Sequence, residues 1–160
     1  MAGFLWFTEK ISRLMNVIAY TALTFIMLLT VSDVILRMFN HPIIGTFEMV
    51  GMGGAIVIGF GIPLTSWLRG LIYVDFLIQK FPGRGKNIMN ILTRVFSIAI
   101  FILIGYNLFS YATDLYISGE VSLTRQIPFY PIVYGLGVSC FVQCLVLIAD
   151  ITKVIGGTYE

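Results

Sequence analysis

The chain has 160 residues, of which 58% are hydrophobic and only 11% charged, with a formal net charge of +2 and a mean hydropathy of +0.95. Soluble domains hold about 45–50% apolar and about 25% charged residues, so a single water-facing globule is excluded, and a disordered chain with it. Two cysteines exclude a disulfide-stapled secreted scaffold, and so small a positive charge excludes a nucleic-acid binder.

An integral membrane protein remains, and its elements can be taken in order. Phe4, Phe7, Ile11 and Leu14 fall on one helical stripe opposite Glu9, Lys10, Ser12 and Arg13, with Trp6 beside it. This pattern predicts an interfacial helix over about residues 3–13, lying in the membrane plane. Leu14–Ser32 then runs 19 residues without Asp, Glu, Lys or Arg, so a first span is expected over about 14–37. That run is too long and uniform for a signal-peptide core, and no small-residue cleavage site follows it. Met49–Leu68 gives 20 uncharged residues and a second span over about 47–68. Leu71–Phe81 is too short to cross, and its Asp75 and Gln79 share one face four residues apart. A second in-plane helix is expected over about 71–81, ended by Pro82-Gly83.

Val95–Thr113, 19 residues, and Gln126–Ala149, 24 residues, complete the uncharged runs. They predict spans over about 88–113 and 127–149. A hydrocarbon core of about 30 Å needs about 20 helical residues, which every run approaches or exceeds. A barrel would instead show about 10-residue segments of alternating polarity. The expected fold class is an all-α integral membrane protein: four transmembrane helices plus one or two interfacial amphipathic helices, forming one domain over 1–160.

Basic residues set the expected orientation. Lys10, Arg13, Arg69, Lys80, Arg84, Lys86, Arg94 and Lys153 fall on one side, and only Arg37 and Arg125 on the other. The positive-inside rule makes the first side cytoplasmic, with both termini inside. Asp33, Glu48, Asp114 and Glu120 give the outer loops a net charge of −2.

Several chemistries lack their residues. A haem-bearing subunit needs histidines on its spans, and the single histidine, His41, is in an outer loop. Cys140 and Cys144 lie four apart inside the fourth span, where they fit small packing residues rather than a reactive pair. No nucleophile–base constellation, phosphate-binding glycine loop or metal cluster is present, so neither an enzyme nor a bound cofactor is expected. An independent carrier would keep an ionisable group near the middle of a span, whereas every acidic or basic residue here lies at a boundary or in a loop. A channel lined by backbone and hydroxyls stays open as an alternative.

The boundary residues point to structure. Asp33 and Arg37 are spaced for an intrahelical ion pair. Thr46 is placed to cap the second span, with Glu48 in its first turn. Arg37 and Glu48 flank one short loop, Met38–Gly45, and are placed to pair across it. The same residues would serve either as a clamp or as a docking patch for a soluble partner. Gly51, Ala55 and Gly59 recur every four residues and make a smooth strip for another helix, within this chain or another. The many phenylalanines and tyrosines imply outward contact area, whether with lipid or with a lateral partner.

Three segments then carry a family resemblance. Arg37-Met-Phe-Asn-His-Pro-Ile-Ile-Gly45-Thr46-Phe-Glu48, Arg69-Gly-Leu-Ile-Tyr-Val74-Asp75, and Leu123-Thr-Arg125-Gln-Ile-Pro128 resemble, in order and spacing, the small membrane subunit of tripartite ATP-independent periplasmic (TRAP) transporters, the DctQ-like component. Where that family often has histidine before its Val-Asp pair, this chain has Leu71-Ile72-Tyr73. The resemblance implies a non-catalytic scaffold subunit of a sodium-driven organic-acid importer in a bacterial inner membrane. Its implied partners are a large multi-span (DctM-like) subunit, a periplasmic substrate-binding protein and membrane lipid. The sodium sites are then expected in the large subunit. Arg37, Glu48, Arg69 and Asp75 are the positions matched to the family, and Arg125 with the Gly51, Ala55, Gly59 strip completes the expected structural or partner-facing set. The alternative is a stand-alone four-span channel or small carrier.

Overall fold

A backbone crossing hydrocarbon must satisfy its polar groups internally, and a long apolar chain does so as helices. The computed structural model describes residues 2–68 and 83–155. Over these the chain forms α1 (Ala2–Met38), α2 (Thr46–Trp67), α3 (Gly83–Ser118) and α4 (Tyr130–Ile155). All four are long and apolar enough to cross a membrane. Among the described residues there is no strand, only an isolated bridge between Val121 and Pro128 in the α3–α4 loop. The in-plane helix expected over 71–81, with Arg69 and Asp75, lies outside the described residues.

The separate in-plane helix expected over 3–13 is not seen, because α1 is continuous through it for 37 residues, about 55 Å at about 1.5 Å per residue. No glycine or proline stands between Arg13 and Val17 to break the ladder, and Thr8 and Ser12 each donate a hydroxyl to the carbonyl four residues back, at 2.9 and 2.8 Å. The expected stripe does point outward: Phe4, Phe7 and Leu14 are exposed. A neighbouring face, with Thr8, Ser12, Met15, Asn16 and Ala19, is buried, while Lys10 and Arg13 are exposed.

The helices do not contribute equally. In α4, 39% of the membrane-length window is buried, against 17% in α1, 11% in α3 and 6% in α2. Helix α4 packs against all three others, α1 packs chiefly on α2, and α2 and α3 have at most marginal contact with each other. The result is an open array around α4 rather than a closed ring.

At three of the four helix contacts a glycine receives a large side chain. The rings of Phe109 and Phe141 sit where a Cβ on Gly137 or Gly105 would stand, 2.7 and 3.3 Å from those positions. Phe109 also meets Tyr134 and Phe141 with ring centroids 5.7 Å apart, and Tyr116 meets Tyr130 edge-on at 5.3 Å. Between α1 and α2, Gly53 accepts Ile26; between α2 and α4, Gly59 accepts Leu136. The Ser139 hydroxyl donates to the Gly59 carbonyl across the latter contact.

At the end opposite the α3–α4 loop, Arg94 and Asp150 form a buried ion pair, with Nε–Oδ2 and Nη2–Oδ2 distances of 2.7 and 2.6 Å. Their side chains are only 7% and 12% exposed, so removing one partner leaves the other charge desolvated. Asp150→Ala is expected to destabilise the purified chain by about 3 kcal/mol. The double variant Arg94→Leu/Asp150→Leu should recover most of that loss in detergent unfolding. A loss in the double variant equal to the sum of the losses in the two single variants would show that the pair is not coupled.

Candidate functional site

Of the residues singled out by the sequence, Arg37, Glu48 and Arg125 lie at the end of the molecule that holds the α1–α2 and α3–α4 loops. Helix α1 ends in a Schellman-type cap: His41 N–H donates to Leu36 O at 2.9 Å and Asn40 N–H to Arg37 O at 3.1 Å. Asn40 takes the left-handed conformation at the turn, with φ 59°. One turn earlier Asp33 is buried, 4% exposed. Its Oδ2 accepts Arg37 Nε at 2.8 Å, the ion pair expected from the four-residue spacing. Its Oδ1 accepts the Ile43 N–H, also at 2.8 Å, and so fastens the loop to the helix end.

Thr46 does not cap α2. Gly45 occupies the cap position with φ 86°, and the Thr46 hydroxyl instead donates back to Ile43 O at 2.9 Å. The left-handed turn turns the threonine away from the free amides of the first helical turn. Gly45 is required twice over: a Cβ there would adopt a disfavoured φ and would lie 2.9 Å from Arg125 Cγ.

The expected Arg37–Glu48 pair is not formed either. Glu48 faces the α3–α4 loop, while Arg37 is held by Asp33. The Ser122 hydroxyl donates to Glu48 Oε2, and the Thr124 hydroxyl donates to Oε1 at 2.8 Å. The Thr124 N–H donates to the same carboxylate at 3.2 Å. Arg125 completes the clasp, its Nε donating to Ile44 O at 3.0 Å. The loop is shaped for this by two turn bonds, Ser122 N–H to Ile127 O and Gln126 N–H to Ser122 O, both 2.9 Å. Gln126 takes the left-handed conformation that closes it, φ 54°.

Of the eight positions proposed from sequence, Glu48 and Arg125 therefore join one clasp across two loops. Arg37 belongs to a neighbouring, separate one. The Gly51, Ala55, Gly59 strip is divided: Gly59 is filled by Leu136, while nothing lies within 4 Å of a Cβ built on Gly51. Ser122, Thr124, Arg94 and Asp150 were missed. The signal for the last two was present: each ends an uncharged run, and the two have opposite sign. No local signal marks Ser122 or Thr124, whose partner is 74 to 76 residues away.

Chemically the clasp positions chain rather than transforming a substrate. Both carboxylates are committed to donors of this chain, and beside them stand exposed apolar side chains: Phe47 at 91% and Leu123 at 98%. The whole end presents two fixed loops with an apolar crown. Glu48→Ala should free the α3–α4 loop and speed exchange of the Thr124 amide about tenfold in hydrogen-exchange mass spectrometry, the equivalent of about 1.4 kcal/mol. Arg37→Ala should leave that amide unchanged. The same acceleration in both variants would mean that the two clasps are one network.

A model of a protein family described as tripartite ATP-independent periplasmic transporters, DctQ component, matches residues 26–156. That stretch takes in the last third of α1, both clasps and all of α2, α3 and α4. No curated protein matches the chain.

Proposed function

From the premise that the chain belongs to the DctQ family, a component of tripartite ATP-independent periplasmic transporters, we propose that it is the small, non-catalytic membrane subunit of a sodium-coupled importer. The cargo in this reading is an organic acid handed over by a periplasmic binding protein. The large DctM-like subunit moves the acid and the sodium, while this chain holds the fixed part of that subunit in the bilayer. The family match carries the proposal.

Physical features support it. Three of the four helices bury less than a fifth of their membrane-length windows within the chain, which leaves wide apolar faces for a lateral partner. The distribution of basic residues favours a bacterial inner membrane with both termini cytoplasmic. The two clasps and the apolar crown then face the periplasm, where the binding protein docks. In this arrangement Arg37, Glu48 and Arg125 shape the periplasmic surface. Arg69 and Asp75 take the family's positions on the other side.

Purification of the tagged chain from its native membrane in mild detergent should bring down one many-spanned protein at a one-to-one ratio. Liposomes containing this chain alone should pass no organic acid, with or without a sodium gradient. Recovery of the chain alone in several detergents, together with flux through such liposomes, would replace the scaffold reading with that of a self-sufficient channel or carrier.

A further inference from the structure

Helix α1, at about 55 Å, is much longer than the about 30 Å of a hydrocarbon core, so its first turns reach the membrane boundary. Arg13 is the last charged residue before the uncharged run Leu14–Ser32 and marks that boundary. A hollow of about 350 Å³ lies along α1 at this level. Lys10 and Arg13 line its boundary side and Leu14 and Val17 its span side, with Phe7 and Ile11 between the cations and along the floor. From Lys10 to Val17 the helix rises about 10 Å, enough to pass from the headgroup layer into hydrocarbon.

The two cations are only partly answered by the chain. Arg13 gives Nε and Nη2 to one oxygen of Glu9, at 3.0 and 2.8 Å, and its Nη1 meets no acceptor among the described residues. The Lys10 ammonium lies 4.8 Å from the centre of the Trp6 ring and has no carboxylate partner among the described residues. Glu9, Lys10 and Arg13 together leave one positive charge in excess. The apolar half is open too, with Phe7, Leu14 and Val17 53%, 64% and 55% exposed. Such a hollow calls for an occupant with the same two-part character. A soluble acidic peptide would leave Leu14 and Val17 uncovered, and a bare hydrocarbon tail would leave the charge unmatched.

The geometry points to one molecule of an acidic glycerophospholipid in this hollow, its phosphate between Lys10 and Arg13 and an acyl chain along Leu14 and Val17. A head of net charge −1 balances the excess positive charge, which a zwitterionic head does not. Trp6, 61% exposed beside Lys10, is the residue type that settles at headgroup level and holds the helix there. The site is remote from both clasps and does not depend on the scaffold reading.

The test uses the full chain in detergent, titrated with phosphatidylglycerol or with phosphatidylcholine of the same acyl chains, with bound lipid counted by native mass spectrometry. Phosphatidylglycerol should bind about fivefold more tightly, the factor for one unmatched basic residue at a membrane surface. Lys10→Gln should abolish that preference. Leu14→Trp fills the hollow and keeps both charges, and it should weaken binding of both lipids. Both side chains are exposed, so both variants should melt at the wild-type temperature. Phosphatidylglycerol carrying a diazirine in its acyl chain should label the peptide that holds Leu14 and Val17. Equal affinity for the two lipids, an unchanged preference in Lys10→Gln, or labelling confined to other helices would each overturn the proposal. So would release of the lipid by millimolar inorganic phosphate, which would reduce the hollow to a patch for any anion.

Discussion

Hydrocarbon offers apolar side chains nothing by leaving it, so burial alone cannot bring membrane helices together. Close packing and polar contacts must do so, and this chain separates the two by depth. Along the middle of the helices, glycines at 53, 59, 105 and 137 receive Ile26, Leu136, Phe141 and Phe109. At the ends, where charges are tolerable, acids take over: Asp33 and Glu48 at the loop end, Asp150 with Arg94 at the other. The α3–α4 pair shows the whole sequence of devices, from the ion pair through ring-into-glycine contacts to the Tyr116–Tyr130 edge contact.

The same constraint explains what was legible in the sequence. The spans were, because their length and lack of charge are properties of contiguous residues. The Asp33–Arg37 pair was too, because both ends lie on one helix four residues apart. Glu48 was recognised as important but given the wrong partner. Its donors are a serine and a threonine in a distant loop, and such residues carry no mark that distinguishes a ligand of a carboxylate from a solvated hydroxyl. The Thr46 cap failed because Gly45 can enter the left-handed region and take the position first. A period-four strip suggested one smooth face, yet Gly53, just off that strip, serves α1 while Gly59, on it, serves α4. Only the three-dimensional arrangement divides them.

Two loops of different connectivity are tied to each other through one carboxylate, so that the apolar side chains at 47 and 123 stand on a fixed base. The clasp ties the exposed end together, and the sides of the molecule keep open apolar area. The open array around α4 supplies that area on α2 and α3.

The central place of α4 also bears on how the protein is made. Of the four spans, the one on which the others pack is the last to leave the ribosome. The α1–α2 pair can meet as soon as both are inserted, since their contact is direct. Among the described residues helix α3 packs chiefly on α4, so its contact forms only when α4 arrives. Insertion of α4 is therefore the step that joins the α1–α2 pair and α3 into one packed unit.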